Sequence, residues 1–273
     1  MTIRGGIMVM VVVDERRNRL LELIRQRGFA SLSELVEELG VSESTIRRDL
    51  DFLEEGGSAK RTHGGVFYTG SSPQLPHFEE RQPAQWELKK AIARRTAELI
   101  EPGDTLLLDG GTTTYEVARL LIGKALQVVT NSLPVANLLA SHTATDLVLI
   151  GGYVYPRSGV TLGPYANDQL AQLNVRKTVL SVAGVNERGF YNSNLLLVET
   201  ERAMMHAADR VIVVADSTKF GRQSLAHLCP LNAVQTLVVD EQLPPEWQER
   251  IVAAGVQLLL AAPEQISEHK TAS

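Results

Sequence analysis

From Asp104 to Leu260, short apolar runs alternate with segments of helical spacing, and this alternation restricts the fold more than any other feature. The runs fall at 105–108, 126–129, 147–150, 178–182, 211–214, 236–239 and 256–260, and helical spacing at 115–121, 133–140, near 167–173, 198–208 and 245–254. A further helix is predicted over 84–100, with Leu88, Ile92, Ala93, Thr96 and Leu99 on its inner stripe and Pro102-Gly103 ending it. A strand apolar along its whole length is covered on both faces, and strands separated by helices join as crossovers into a parallel sheet. The predicted class is α/β, with a Rossmann-like, mostly parallel sheet between helical layers.

Ligands of such sheets bind at the carboxyl ends of the strands. Those ends carry small and polar residues here. Asp109-Gly110-Gly111-Thr112-Thr113-Thr114 follows the first strand and Thr130-Asn131-Ser132 the second. Gly151-Gly152 follows the third, Gly184 the fourth, and Asp216-Ser217-Thr218-Lys219 the fifth. Glycines admit an anion to the backbone, while hydroxyls and helix N-terminal amides donate to it. The Gly-Lys-Ser/Thr of a P-loop and the dinucleotide Gly-x-Gly-x-x-Gly are both absent. A strand-to-helix turn can use Gly and Thr without binding anything, but five such ends exceed what turn chemistry requires. With Lys219 as a cation, the set suits a phosphorylated sugar.

The chain before this region has a different pattern. Ser31-Leu32-Ser33-Glu34 fits a capping box. Leu32, Leu35, Val36 and Leu39 then repeat at helical spacing, and Gly40 closes the helix. A second helix starts at the N-cap Ser42, buries Ile46, Leu50 and Leu53, and ends at Gly56 or Gly57. Its leading edge presents Ser44, Thr45, Arg47 and Arg48. Hydroxyls and guanidinium groups there match what reading a major groove requires, so the pair reads as a helix-turn-helix. An earlier helix is predicted over 16–26. After it, Lys60, Arg61 and His63 lie on a hairpin that reads as a wing against phosphates. The alternative is a helical hairpin with a solvated charged face.

The net charge of −5 means that affinity for nucleic acid must come from this local cluster. The single cysteine, Cys229, excludes an internal disulfide and fits a reducing cytoplasm. The apolar stretch 7–13 is too short to span a membrane and no small-residue cleavage site follows it. Residues 1–13 are therefore expected to be a loose extension, with Met8 and Met10 as further possible starts. The remaining boundaries are a DNA-binding domain at 14–70, a linker at 71–83, a sensor at 84–263 and a frayed tail at 264–273.

Taken together, these motifs resemble the DeoR family of bacterial transcriptional regulators. The resemblance rests on Val41-Ser42, Thr45 to Leu50, and Lys60 to Gly65. It continues through Phe78, Glu80-Arg81, Glu87-Leu88-Lys89, Asp109 to Thr114, Thr130-Asn131-Ser132, Gly151-Gly152, Gly163 and Asp216 to Phe220. It implies a winged helix-turn-helix joined to a sensor similar to the ribose-5-phosphate isomerase fold. The implied partners are double-stranded operator DNA, a phosphorylated sugar or polyol that relieves repression, and further copies of the chain as homodimer or homotetramer. No cofactor, metal or membrane is expected. The chain departs from the family pattern at Glu201, where a lysine is common, and at Gly189-Phe190-Tyr191-Asn192. On this reading Gly110 to Thr114 hold the phosphate, with Gly151 and Gly152 nearby, and Asp109, Asn131, Asp216 and Lys219 line the sugar. Two other functions fit parts of the sequence. One is a sugar-phosphate isomerase, with Asp109 or Asp216 as base and Lys219 as electrophile. The other is an adaptor whose N-terminal helices bind protein.

Overall fold

The computed structural model describes residues 4–27, 29–62, 65–68 and 77–263, which fall into two units, Met1–Gln74 and Leu75–Ser273. His63, the stretch 69–76 and the tail from 264 lie outside the described residues.

The first unit contains α1 (Arg4–Arg27), β1 (Phe29–Ser31), α2 (Leu32–Leu39), α3 (Glu43–Glu55), β2 (Ala59–Thr62) and β3 (Gly65–Tyr68). Ser31 caps α2 reciprocally: its hydroxyl accepts from the Glu34 N–H at 3.2 Å, and the Glu34 carboxylate accepts from the Ser31 N–H at 2.7 Å. Gly40 ends α2 at φ 63°, a conformation that costs glycine little. Ser42 then caps α3. Leu20, Ile24, Leu35, Ile46 and Leu50 meet in one core, closed by the antiparallel sheet β1-β3-β2. That sheet is the wing, completed by a strand the sequence did not disclose. β1 has only three residues and no alternation of its own, and pairing with β3 is what makes it a strand.

One expectation is corrected here. The stretch 1–13 was expected to be a loose extension and the first helix to start at Arg16, but α1 starts at Arg4. No proline interrupts 4–27, and isoleucine, methionine and valine continue a helix already nucleated further along at small cost.

The second unit opens with α4 (Phe78–Arg81) and α5 (Trp86–Ala97). Then come β4 (Thr105–Leu108), α6 (Thr112–Leu121), β5 (Leu126–Thr130), α7 (Leu133–Leu139) and β6 (Thr145–Leu149). The hairpin β7 (Tyr153–Tyr155) and β8 (Val160–Leu162) leads to α8 (Pro164–Leu170) and β9 (Val175–Ser181). Next are β10 (Gly184–Asn186), β11 (Gly189–Asn192), α9 (Leu195–His206), β12 (Ala208–Val214) and β13 (Ala226–Cys229). The unit closes with β14 (Thr236–Asp240), α10 (Pro245–Ala253) and β15 (Gln257–Ala261).

Seven strands form a parallel sheet in the order β15-β14-β12-β9-β4-β5-β6. Side chains of α5, α6 and α7 pack on one face and those of α8, α9 and α10 on the other, giving two apolar layers. The chain runs outward from β4 through β5 and β6, then returns to lay β9 on the other side of β4. The β4–β9 boundary is therefore the topological switch point, where an open α/β sheet leaves a crevice. The small antiparallel sheet β10-β11-β13 and the hairpin β7-β8 were not read from the sequence. Their strands are three or four residues long, and all four positions of β11 are buried, so no alternation marks them. Within the stretch expected as linker, 77–83 carries α4, which seats Phe78 edge-on against Tyr115 of α6 at 5.6 Å.

Candidate functional site

In the first unit, α3 turns Ser44, Arg47 and Arg48 to solvent while Ile46, Asp49 and Leu50 face inward. The Ser42 hydroxyl accepts from the Thr45 N–H and lies 3.0 Å from the Ser44 hydroxyl and 2.8 Å from that of Thr45, so three hydroxyls gather at the helix start. Arg47 donates to Glu43 one turn back at 2.9 and 2.6 Å. On the wing, Lys60 pairs with Glu54 at 2.8 Å and Arg61 pairs with Asp51. The Lys60 hydrogen bond holds the Glu54 carboxyl below its ordinary range, against partial burial. Arg48 alone among the described basic residues of this cluster has no carboxylate partner.

Asp49 has no counterpart in the sequence reading. It is 1% exposed and accepts from Arg16 at 2.6 and 3.1 Å and from Arg17 at 3.0 Å. Arg17 also stacks 3.9 Å over the Phe52 ring. The two arginines thus lock α3 onto α1. The signal was present as an apolar stripe interrupted by one aspartate, but its partners lie more than thirty residues away.

In the second unit a chamber opens at the switch point. Gly110, Ser181, Asn192, Glu201, Arg81, Ser158 and Lys219 line it, with Leu197 among its apolar wall. A polar chain runs along it. The Asp109 carboxylate accepts from the Ser181 N–H and hydroxyl, each at 3.4 Å. The Asn192 amide donates to the Ser181 carbonyl at 3.2 Å and to the Glu201 carboxyl at 2.5 Å. Burial pushes Asp109 up to about 6, against the N–H groups of Gly110 and Ser181, the Ser181 hydroxyl and the Arg81 charge. Burial, reinforced by Asp109, raises Glu201 well above the usual carboxyl range.

Cations face these acids. Arg81 is positioned by α4, and its carbonyl accepts from the Lys89 ammonium at 2.6 Å. Burial lowers Lys89 to about 8, with Lys219 and Arg81 adding to the shift and Asp216 and Glu116 opposing it. Lys89 therefore feels the charges of Arg81 and Lys219, and those two line the chamber together with Gly110, just before the N-terminus of α6. Neither Arg81 nor Lys89 was named as a site residue from the sequence. Both precede the first strand, and only the fold returns them to its carboxyl end.

Of the sequence-predicted residues, Gly110 and Lys219 line the chamber and Asp109 lies behind it. Thr112, Thr113 and Thr114 form the buried first turn of α6, where the Thr114 hydroxyl donates to the Gly111 carbonyl at 2.9 Å. The Asn131 amide donates to the Thr161 carbonyl at 2.9 Å, tying the β5 end to β8. Asp216 caps the short turn 217–219 through the Thr218 N–H at 3.1 Å. Gly151 bonds the Gln169 side chain, and Gly152 begins the β7 hairpin, away from the chamber lining. The paired glycines have a packing reason as well. A Cβ on Gly110 would sit 2.0 Å from a Val160 methyl, and one on Gly111 would sit 2.0 Å from the Ser181 hydroxyl.

Among the described residues, no group of His, Cys, Asp and Glu has the arrangement of a metal site, and no helix is long and apolar enough to cross a membrane. Burial pushes the Cys229 thiol up to about 12, leaving it unreactive.

A winged helix-turn-helix joined to an α/β unit with a polar chamber at its switch point defines a ligand-sensing transcriptional regulator. Comparison with known proteins gives the family. A DeoR-like helix-turn-helix domain matches residues 16–71, and a DeoR C terminal sensor domain matches residues 84–241. The chain belongs to the DeoR family. It is 34% identical over 248 residues to the glycerol-3-phosphate regulon repressor of Escherichia coli strain K12, covering 90% of this chain and 98% of that protein. It is 35% identical over 252 residues to a candidate aga operon transcriptional repressor of Escherichia coli O157:H7, covering 90% and 93%. A solved D-ribose-5-phosphate isomerase in complex with phospho-erythronic acid superposes on 50% of this chain and 54% of its own, with a TM-score of 0.38 and 18% identity.

Proposed function

We propose that this regulator is a cytoplasmic repressor that binds double-stranded operator DNA through α3 and the wing, and releases it when a phosphorylated sugar or polyol enters the chamber. The observation that carries the effector half is that Arg81 and Lys219 line the chamber with Gly110, just before the first turn of α6. Cations and unpaired helix amides are the two groups that bind phosphate best, and here they meet at one strand end. The glycerol-3-phosphate regulon repressor, similar over nearly its whole length, supports the same ligand class.

On the DNA side, Ser44, Thr45, Arg47 and Arg48 enter the major groove, Ser42 and the first amides of α3 bind phosphate, and Lys60, Arg61 and His63 follow the backbone. Two copies of the chain would present two α3 helices to half-sites one helical turn apart. Effector binding shifts the equilibrium only to the extent that the released state binds it more tightly, which for regulators of this kind amounts to roughly 1–3 kcal/mol.

The reading is of a binder and not a catalyst. The Asp216 carboxylate is engaged in capping a turn, and Asp109 sits behind Ser181, so neither acid is displayed as a free base. The test is fluorescence anisotropy of the full chain on its own promoter fragment, repeated with a panel of phosphate esters. Specific binding released by one ester is the expected result. Specific binding that no ester alters would remove the effector assignment, and turnover of an ester would replace it with the isomerase reading.

A further inference from the structure

Glu201 is 1% exposed, on α9, with its side chain in the chamber wall. Its neighbours hold it there. The Thr200 hydroxyl donates to Asn167 of α8 at 2.9 Å, and the Arg202 guanidinium donates to the carbonyls of Leu228 and His227 at 2.9 and 2.7 Å. Its Oε1 accepts from Asn192, whereas Oε2 is buried with no hydrogen-bond partner. The hydroxyl of Ser158, another lining residue and 2% exposed, is likewise buried and without a partner. Buried polar atoms are nearly always satisfied, so two orphans lining one cavity point to a missing ligand.

The chemistry of that ligand follows from the surroundings. Burial first, and then the charge of Asp109, oppose ionisation of Glu201. Because Oε1 receives the Asn192 N–H, the carboxyl proton belongs on Oε2, the oxygen left without a partner. A carboxylic O–H and a serine O–H both bond neutral oxygens. Both are donors, and a neutral acid gives an ammonium group no counter-charge.

We infer that Glu201 and Ser158 contact the end of the effector distal to its phosphate. They bond hydroxyl, carbonyl or carboxylate oxygens there, so the effector is a phosphate ester of a sugar, polyol or sugar acid and not of an amino sugar. This rests on the chamber being the effector site.

The experiment is calorimetric titration of the full chain with glycerol 3-phosphate, ribose 5-phosphate, fructose 6-phosphate, glucosamine 6-phosphate, 6-phosphogluconate and inorganic phosphate. The tightest ligand should carry no amino group. For that ligand, Glu201→Gln, which keeps a donor and an acceptor, should bind within about threefold of wild type. Glu201→Met should bind at least tenfold more weakly, with operator affinity intact in both variants. The loss should belong to one oxygen: for one deoxy analogue of the ligand, wild type and Glu201→Met should bind alike. Tightest binding of the amine overturns the inference, as does Glu201→Gln losing as much as Glu201→Met. If esters bind but Glu201→Met binds them as wild type does, this inference fails while the effector reading stands. If no ester binds wild type, both fail.

Discussion

Replacing Asp49 by alanine should release α3 from α1 without altering any residue that faces outward. The carboxylate is 1% exposed and receives three N–H groups from Arg16 and Arg17 at 2.6 to 3.1 Å. Removing one partner of a buried ion pair costs about 3–5 kcal/mol. The arginine side chains are 22% and 24% exposed, so water recovers part of their solvation, and the expected loss falls to about 2–3 kcal/mol. A loss of 2 kcal/mol is roughly a 30-fold change in an opening equilibrium. Hydrogen exchange on the full chain reads it directly, because amides report local opening. Amides of α3, 43–55, should exchange about 30-fold faster in Asp49→Ala, those of β4, 105–108, should not change, and operator affinity should fall. Protection of α3 within threefold of wild type would refute the idea that this buried clamp holds α3 in place.

Arg48→Ala should weaken operator binding by about 1–3 kcal/mol and relax sequence choice at one position, measured by anisotropy on operator variants. Thr113→Glu should abolish the response to the effector while operator binding persists, since it places a carboxylate at the first turn of α6; a normal response would move the phosphate site elsewhere. Asp109→Asn should raise stability at pH 7. With the folded-state carboxyl pushed up to about 6, the native chain binds the proton more tightly than the unfolded one, so wild-type stability falls as pH rises from about 4 to about 6. The asparagine variant lacks that slope, which urea denaturation across the pH range would show. Gly111→Ala should destabilise the sensor by more than 1 kcal/mol, because the new methyl meets Ser181 at 2.0 Å; a thermal midpoint equal to wild type would show that the Ser181 strand end can give way.

The sheet was legible because its strands are buried on both faces, which leaves a nearly uninterrupted apolar run in each. The helix-turn-helix was legible because capping is local: Ser31 and Glu34, or Ser42 and Thr45, lie within one turn of each other. What escaped was whatever depends on return of the chain. Arg81 precedes the first strand by about twenty residues and reaches the chamber, with Lys89 bonded to its carbonyl, only because α4 and α5 pack back along α6. Ser158 sits in a hairpin whose two strands have three residues each, too short to leave a pattern. Glu201 could be seen as unusual in the sequence, but its burial beside Asn192 and Asp109 could not. Conversely, Asn131 and Asp216 fit a polar strand end by residue type, yet the fold engages both side chains in holding its own turns.

The pairing of Arg47 with Glu43, Lys60 with Glu54 and Arg61 with Asp51 means that the surface proposed to face DNA arrives with its counterions built in. A phosphate that takes one of these cations must displace a carboxylate, which stays tethered and repels the duplex. Each phosphate neutralised by a bare lysine or arginine contributes about −0.9 to the slope of log affinity against log salt. Cations that merely exchange one anion for another contribute less, so the salt dependence should be shallower than the count of basic residues implies. Random sequence, which offers phosphates but no matching base edges, then gives little reward for breaking the pairs. The head should leave such DNA quickly, and its residence time should be concentrated at sites where Arg48 and the hydroxyls at the α3 start find their bases.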